Sequence, residues 1–148
     1  YGTENTHNFS YRLIFAMNSF TVQTSATMEL IDITREVAGI INKADITDGI
    51  CFLFNPHTTA GLTINEGADP DVKRDIIQGL KEMVPINYPF KHMEGNSPAH
   101  IMSSLIGASV SVAIEKGQLQ LGTWQKIFFC EFDGPRTRKV HLHFIPNT

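Results

Sequence analysis

The sequence predicts an α+β fold: a compact single domain with a largely antiparallel or mixed β core and two or three helices. Between Phe20 and Leu30 apolar side chains alternate with polar ones, which is the period of a strand with one wet face. Asp69-Pro70 and Ser97-Pro98 each combine a capping residue with a proline, which marks a helix start. From Ser109 onward, short apolar segments alternate with turn residues, and this spacing favours antiparallel hairpins.

The first half of the chain is predicted to hold two strands and a helix. A long strand covers 20–30, and Thr34 is the predicted N-cap of a helix over 35–43. After the turn signal at 48–49, the run 50–54 is apolar on both faces, which predicts a central strand.

Two more helices and a β-rich C-terminal third follow. The Asp69-Pro70 helix ends before Pro85, and the Ser97-Pro98 helix runs to about Gly107. Strands are then predicted over 109–114, 125–132 and 137–145, with turns at 116–118 and 133–135.

Residues 1–16 look foreign to the rest of the chain because they lack periodicity and a core pattern. Met17 is a plausible natural start, so 1–16 is predicted to be an N-terminal extension or expression remnant, and 17–148 the domain. His7 is accordingly given little weight.

Composition limits the function classes. A net charge of -3 without a basic block argues against nucleic acid as a partner, and no apolar stretch is long enough to cross a membrane. Cys51 and Cys130 lie in apolar runs without a Cys-x-x-Cys pair, which predicts buried free thiols in a reducing, cytoplasmic compartment.

Histidines form the main candidate site. His57 follows the apolar strand 50–54 and precedes small residues that leave open space, while His92 and His100 lie in polar segments with glycine or proline. Together they would leave an open metal position for water or substrate, although their spacing matches no standard zinc signature. The alternative is that each is a packed or solvated histidine with no shared role.

Polar residues elsewhere supply candidate partners for this site. Glu66 is a candidate general base, and Asn65 and Glu94 are candidate supporting groups. The backbone N–H groups of 97–100 and the side chains of Arg136 and Arg138 would bind an anion, although the arginines also suit a charged hairpin end. Trp124, beside Gln125, would stack on a planar ligand or pack in the core or at a subunit interface.

Several of these motifs, in order, resemble the YjbQ-like family, whose members have been called secondary thiamine-phosphate synthase enzymes. The matching stretches cover essentially the chain from Met17 onward and lie at 31–34, 57–66, 69–70, 92–95, 97–101, 122–125 and 133–138. The resemblance implies a compact α+β homotrimer with a polar pocket at a subunit boundary. Met93 departs from the family pattern, in which an acidic or amide residue often follows the histidine.

The resemblance also implies an activity. A pyrimidine pyrophosphate would react with a thiazole phosphate to give thiamine phosphate, with His57, Glu66 and His100 as catalytic residues. His57, His92 and His100 would hold a divalent metal, zinc or magnesium. Substrate would contact polar, aromatic and basic residues: Asn65, Ser97, Trp124, Gln125, Arg136 and Arg138. The alternatives are a non-catalytic trimeric module that binds a metal or a phosphorylated metabolite, and a pure assembly protein whose histidines scatter.

Overall fold

A computed structural model describes residues 18–147, so the predictions on residues 1–16 fall outside the described chain. The helices are α1 (Thr34–Lys43), α2 (Pro70–Met83) and α3 (Ser97–Ile106). The strands are β1 (Asn18–Gln23), β2 (Glu29–Asp32), β3 (Gly49–Phe54), β4 (Ala60–Glu66), β5 (Ser109–Glu115), β6 (Gln118–Leu119), β7 (Gln125–Glu131) and β8 (Thr137–Pro146). The predicted α+β class is confirmed.

The strands form two sheets in which every described pairing is antiparallel. One sheet has five strands in the order β1-β8-β3-β5-β6, and the other has three in the order β2-β7-β4. The hairpin-like spacing of the C-terminal third leads to β5–β6 pairing, but β7 and β8 join different sheets. The turn at 133–135 therefore carries the chain from one sheet to the other.

The single long strand predicted over 20–30 is wrong, because the chain changes sheets in the middle of that segment. β1 pairs with β8 and β2 pairs with β7, so the two halves lie in different sheets. The Thr24 hydroxyl bonds to the carboxylate of Glu131, and Ser25 N–H bonds to Glu29. These side-chain bonds replace ladder bonds, and an alternating pattern alone does not distinguish one strand from two collinear ones.

Strand β7 lies between two apolar layers. Ile127 and Phe129 face a core shared with the five-stranded sheet and α1, whereas Phe128 and Cys130 face a second core formed with α2 and α3. The molecule is thus layered as a five-stranded sheet, a three-stranded sheet and a pair of helices, which explains why β7 is apolar without alternation.

The helix starts agree with the sequence prediction at α2 and differ at the other two. Asp69 caps α2, and its side chain accepts a hydrogen bond from Asp71 N at 2.9 Å. Thr34 is already helical, and its hydroxyl instead accepts from Ile127 N at 2.8 Å. Ser97 is also helical, with Asn96 at the cap position, so capping chemistry located these helices but missed their first residues by one.

The central position of β3, between β8 and β5, is confirmed. Its inward side chains are buried, but Ile50 and Phe54 on the outer face remain about two-fifths exposed. His141 and His143 lie opposite Phe54 and Phe52 on this outer face and are half-buried. No helix within 18–147 is both long and apolar enough to span a membrane.

Candidate functional site

A polar cleft opens where the end of β3, the start of β8 and the N-terminal part of α3 meet. Its volume is about 320 Å³, which is at the lower end of the range for small-molecule sites. The lining residues are mostly charged or hydrogen-bonding: Pro56, His57, Thr58, Thr59, Glu94, Asn96, His100, Asp133, Arg136 and Arg138. Five of the candidate residues named from the sequence therefore line one cleft: His57, Glu94, His100, Arg136 and Arg138.

The loop between β3 and β4 is held by Asn55, which is 2% exposed. Its Oδ1 accepts from His57 N at 3.0 Å, and its Nδ2 donates to the carbonyls of Ala60 at 2.8 Å and His57 at 3.2 Å. The small residues after His57 leave room for the loop backbone to fold around the Asn55 side chain. Asn55 therefore sets the position at which His57 enters the cleft.

His57 is oriented by the backbone of the neighbouring strand. Its Nε2 accepts a hydrogen bond from Lys139 N at 2.9 Å, which requires the unprotonated nitrogen. Burial and the positive charge of Arg138 lower the pKa of His57 below its ordinary value. A neutral ring with an occupied Nε2 carries its proton on Nδ1, so His57 is a hydrogen-bond donor at that atom.

Arg138 and Glu131 form a buried ion pair beneath the cleft. Arg138 donates from Nε to Glu131 Oε2 at 2.8 Å and from Nη2 to Oε1, and Nη2 also donates to the Thr59 hydroxyl at 2.8 Å. Burial acts to raise the pKa of Glu131, but hydrogen bonds from Arg138, Asp133 N and Thr24 outweigh it and hold that pKa below its ordinary value. The carboxylate is therefore ionised, as the pairing requires.

Arg136 is held in a similar way at the rim. Its Nε donates to the Asp133 carbonyl at 2.7 Å, and its Nη2 donates to Asp133 Oδ2 at 2.9 Å. Burial acts to raise the pKa of Asp133, but hydrogen bonds from Asn96 and Arg136 outweigh it and hold that pKa below its ordinary value. Asn96 Nδ2 donates to Asp133 at 2.9 Å, and its Oδ1 is buried without a partner among the described residues.

His92 and His100 lie side by side, but only His100 lines the cleft. Their ring centroids are 5.3 Å apart in an edge-on arrangement, and His92 Nε2 is 3.9 Å from Glu94 Oε2. Among residues 18–147, no group of three or more His, Cys, Asp or Glu side chains is arranged to hold a metal. Lys139 N occupies Nε2 of His57, and Nδ1 then carries the proton, so the neutral ring has no free lone pair for a metal. As arranged, the three histidines therefore do not fit the predicted zinc or magnesium site.

The remaining predicted residues do not line the cleft. Glu66 and Gln125 are register partners in the β4–β7 pair, and Gly67 N donates to the Trp124 carbonyl at 2.9 Å. Asn65 is next to them, and β4 separates this group from Ala60 by about 20 Å at the usual rise per residue. Ser97 begins α3 beside Asn96 and does not line the cleft.

The sequence patterns did not indicate several residues that line the cleft or hold its lining residues in place. The sequence pattern places Asp133 in a turn and Glu131 in an apolar strand, and it gives no role to Asn55 or Asn96. A signal was available for Glu131, since an acid inside the apolar run 127–132 needs a buried positive partner. Nothing local to Asn96 indicates that it would meet Asp133, which lies 37 positions later.

Fold and cleft together define a small α+β domain with a polar site built from paired arginines and histidines. Residues 18–147 match the family described as "UPF0047 protein YjbQ-like". The chain belongs to this YjbQ/UPF0047 family, as the sequence motifs predicted.

Relatives and solved structures agree with that assignment. The chain is 50% identical over 127 residues to the UPF0047 protein YugU of Bacillus subtilis, which covers 85% of this chain and 96% of that protein. It is 50% identical over 126 residues to the UPF0047 protein MJ1081 of Methanocaldococcus jannaschii, with coverages of 85% and 91%. An uncharacterized conserved YjbQ/UPF0047 protein from Clostridium acetobutylicum has a TM-score of 0.84 at 50% identity, with coverages of 86% and 99%. A YbjQ-like protein of unknown function from Sulfolobus solfataricus also has a TM-score of 0.84, at 34% identity, with coverages of 88% and 96%.

Proposed function

We propose that the cleft binds the phosphate or pyrophosphate group of a phosphorylated small molecule. The observation that carries this proposal is that both arginines line the cleft while neither Nη1 atom has an acceptor among the described residues. Each is held by protein acceptors at Nε and Nη2, while none of the described residues accepts a hydrogen bond from either Nη1. Both arginines line the same cleft as His57. Guanidinium N–H groups bind phosphoryl oxygens well.

The proposed reaction is the condensation that the family resemblance implies. The ring nitrogen of a thiazole phosphate forms a bond to the methylene carbon of a pyrimidine pyrophosphate, and the carbon–oxygen bond breaks as pyrophosphate leaves with its electron pair. The arginines would stabilise the charge on the leaving group, and His57 would donate to it from Nδ1. His100 borders the same space.

A second candidate is binding without catalysis. The location of Glu66 favours it, because the proposed proton acceptor lies at the far end of β4, with Asn65, Trp124 and Gln125. A single chain therefore does not bring that carboxylate to the cleft. A homotrimer, which the resemblance implies, is proposed because only a second copy of the chain would bring Glu66 and its neighbours close to the cleft.

The test combines binding with turnover. Calorimetry with inorganic pyrophosphate should give a measurable affinity that Arg136→Gln weakens about tenfold, as expected for loss of a charged hydrogen bond. Arg74→Gln is the matched control, because Arg74 also pairs with an aspartate three residues away but lies on α2 outside the cleft. Absence of wild-type binding would refute the proposed ligand class.

Turnover separates the two candidates. Wild-type protein would be incubated with the pyrimidine pyrophosphate and the thiazole phosphate, and thiamine phosphate and pyrophosphate would both be measured. Product that disappears in His57→Gln supports the transferase, and pyrophosphate binding without product supports the binding module. Repeating the assay after chelation and with added zinc or magnesium tests the divalent metal, which the cleft geometry does not favour.

Association and location complete the proposal. The outer face of the five-stranded sheet exposes Ile50, Phe54 and Ile145, a surface suited to contact with a second copy. Light scattering should report a trimer that Phe54→Glu dissociates, whereas Tyr88→Glu, on a separate apolar groove, should leave it intact. A cytoplasmic location is proposed because both cysteines are free and buried.

A further inference from the structure

We infer that Glu131 is a positioning residue for the anion site: it holds Arg138 by its Nε and Nη2 atoms, so that the Nη1 end serves the cleft. This inference rests on the proposed anion-binding function and assigns a role to a residue that has no contact with the cleft. Glu131 is 0% exposed and sits at the end of β7, opposite Glu29 and Ala60 of the neighbouring strands.

The hydrogen bonds of Glu131 show that it is fixed from several directions. Oε1 accepts from Phe132 N at 3.1 Å and Asp133 N at 3.0 Å, and Oε2 accepts from the Thr24 hydroxyl at 2.9 Å. Arg138 donates to both oxygens. A carboxylate held in this way cannot turn to meet the ligand, so it acts only through the side chain it holds.

The donors of Arg138 divide between protein and cleft. A guanidinium has five N–H donors, and Glu131 and Thr59 accept from Nε and from both donors of Nη2. The two remaining donors belong to Nη1. Arg138 lines the cleft although its side chain is only 5% exposed. Only a small part of the guanidinium can therefore reach a ligand, and a small rotation of the side chain would change which N–H groups face the cleft.

The same carboxylate also organises the second arginine. The Thr24 hydroxyl that bonds to Glu131 accepts a hydrogen bond from Arg136 N at 2.7 Å. Thr24 N in turn donates to the Arg136 carbonyl at 2.9 Å, so both backbone groups of Arg136 are tied to Thr24. Glu131 therefore supports Arg138 by direct contact and Arg136 through one intervening residue.

A positioning role makes a specific prediction for Glu131→Gln. The amide keeps the size of the side chain but presents an N–H group toward either Arg138 or the backbone donors, so the two-oxygen grip is lost. Pyrophosphate binding should weaken about tenfold, and Arg138→Gln should weaken it by a similar factor. Because both substitutions act on the Arg138 guanidinium, their effects should not multiply. The double variant should bind pyrophosphate at most about threefold more weakly than either single variant.

A spectroscopic measurement tests the hydrogen bonds between Glu131 and Arg138 directly. The Nε–H of Arg138 should give a slowly exchanging NMR signal in wild-type protein, and Glu131→Gln should abolish that signal while circular dichroism stays unchanged. Thr24→Val is the second variant and provides a test even if Glu131→Gln fails to fold. Thr24 does not line the cleft, so loss of its hydroxyl should weaken pyrophosphate binding severalfold only through Glu131 and Arg136.

The outcomes separate this inference from the proposed function. Wild-type protein that fails to bind pyrophosphate overturns the function and, with it, the role of Glu131. Wild-type binding combined with independent, multiplicative losses in the double variant overturns the positioning role alone. Folded Thr24→Val or Glu131→Gln protein that binds like wild type does the same.

Discussion

Asn55 offers a quantitative test of how the cleft is built. Replacing it with Ala removes three side-chain hydrogen bonds, to His57 N, His57 O and Ala60 O. At about 0.5–1.5 kcal/mol for each bond, the total lies between about 1.5 and 4.5 kcal/mol. Ala60 O keeps a bond from the Ser103 hydroxyl at 2.6 Å, which limits the loss. We expect the free energy of unfolding to fall by about 2–3 kcal/mol.

Urea unfolding followed by far-ultraviolet circular dichroism measures this loss. Asn65→Ala is the matched control, because Asn65 is exposed and its side chain bonds only to the adjacent Glu66 N; its cost should stay below about 0.5 kcal/mol. Asn55→Ala should also weaken pyrophosphate binding, since His57 loses its anchor. A stability loss under about 1 kcal/mol would show that Asn55 does not organise the loop.

Other expectations concern titration, thiol access and packing. The pKa of His57 is lowered in the folded protein, so the unfolded chain takes up its proton near pH 6.5 while the folded one does not. Stability should therefore fall as pH drops below that value, and His57→Gln should show a shallower fall in urea titrations at several pH values. Burial raises the pKa of Cys51 and of Cys130 to about 12; a thiol reagent at neutral pH should label neither in native protein and both in urea. Phe129→Ala, at a fully buried site between the sheets, should lower the free energy of unfolding by about 3–5 kcal/mol in the same urea assay. The titration argument would be contradicted if His57→Gln and wild-type protein lost stability equally as pH falls. Rapid labelling of Cys51 or Cys130 in native protein would contradict their burial, and a loss below about 1 kcal/mol in Phe129→Ala would contradict its packing role.

Local patterns in the sequence located most elements because each depends on nearby residues. The Asp69-Pro70 start of α2 follows from capping chemistry alone, and the central position of β3 follows from its apolar run. The break between β1 and β2 could not be seen, because it depends on a contact between Thr24 and Glu131, which are 107 positions apart. Alternation of side chains is the same in one strand or two.

The candidate site was predictable in its residue types and not in its pairings. His57, His100 and the two arginines converge because they lie at neighbouring element ends. Their partners come from distant parts of the chain, as when Lys139 N donates to Nε2 of His57 and occupies the one lone pair of the neutral ring. That one backbone contact changes the chemistry of the ring, and no spacing rule reveals it.

Strand β7 is packed from both sides along Ile127–Glu131, and its last residue is the acid under the cleft. A slip of one residue would exchange its two faces between unlike apolar layers, so the strand has only one tolerable register. Glu131, beneath the cleft, is therefore held as rigidly as the core around β7. Amide exchange should be slowest there, and adaptation to different ligands during evolution should occur at the rim, in the segments around Glu94 and Arg136.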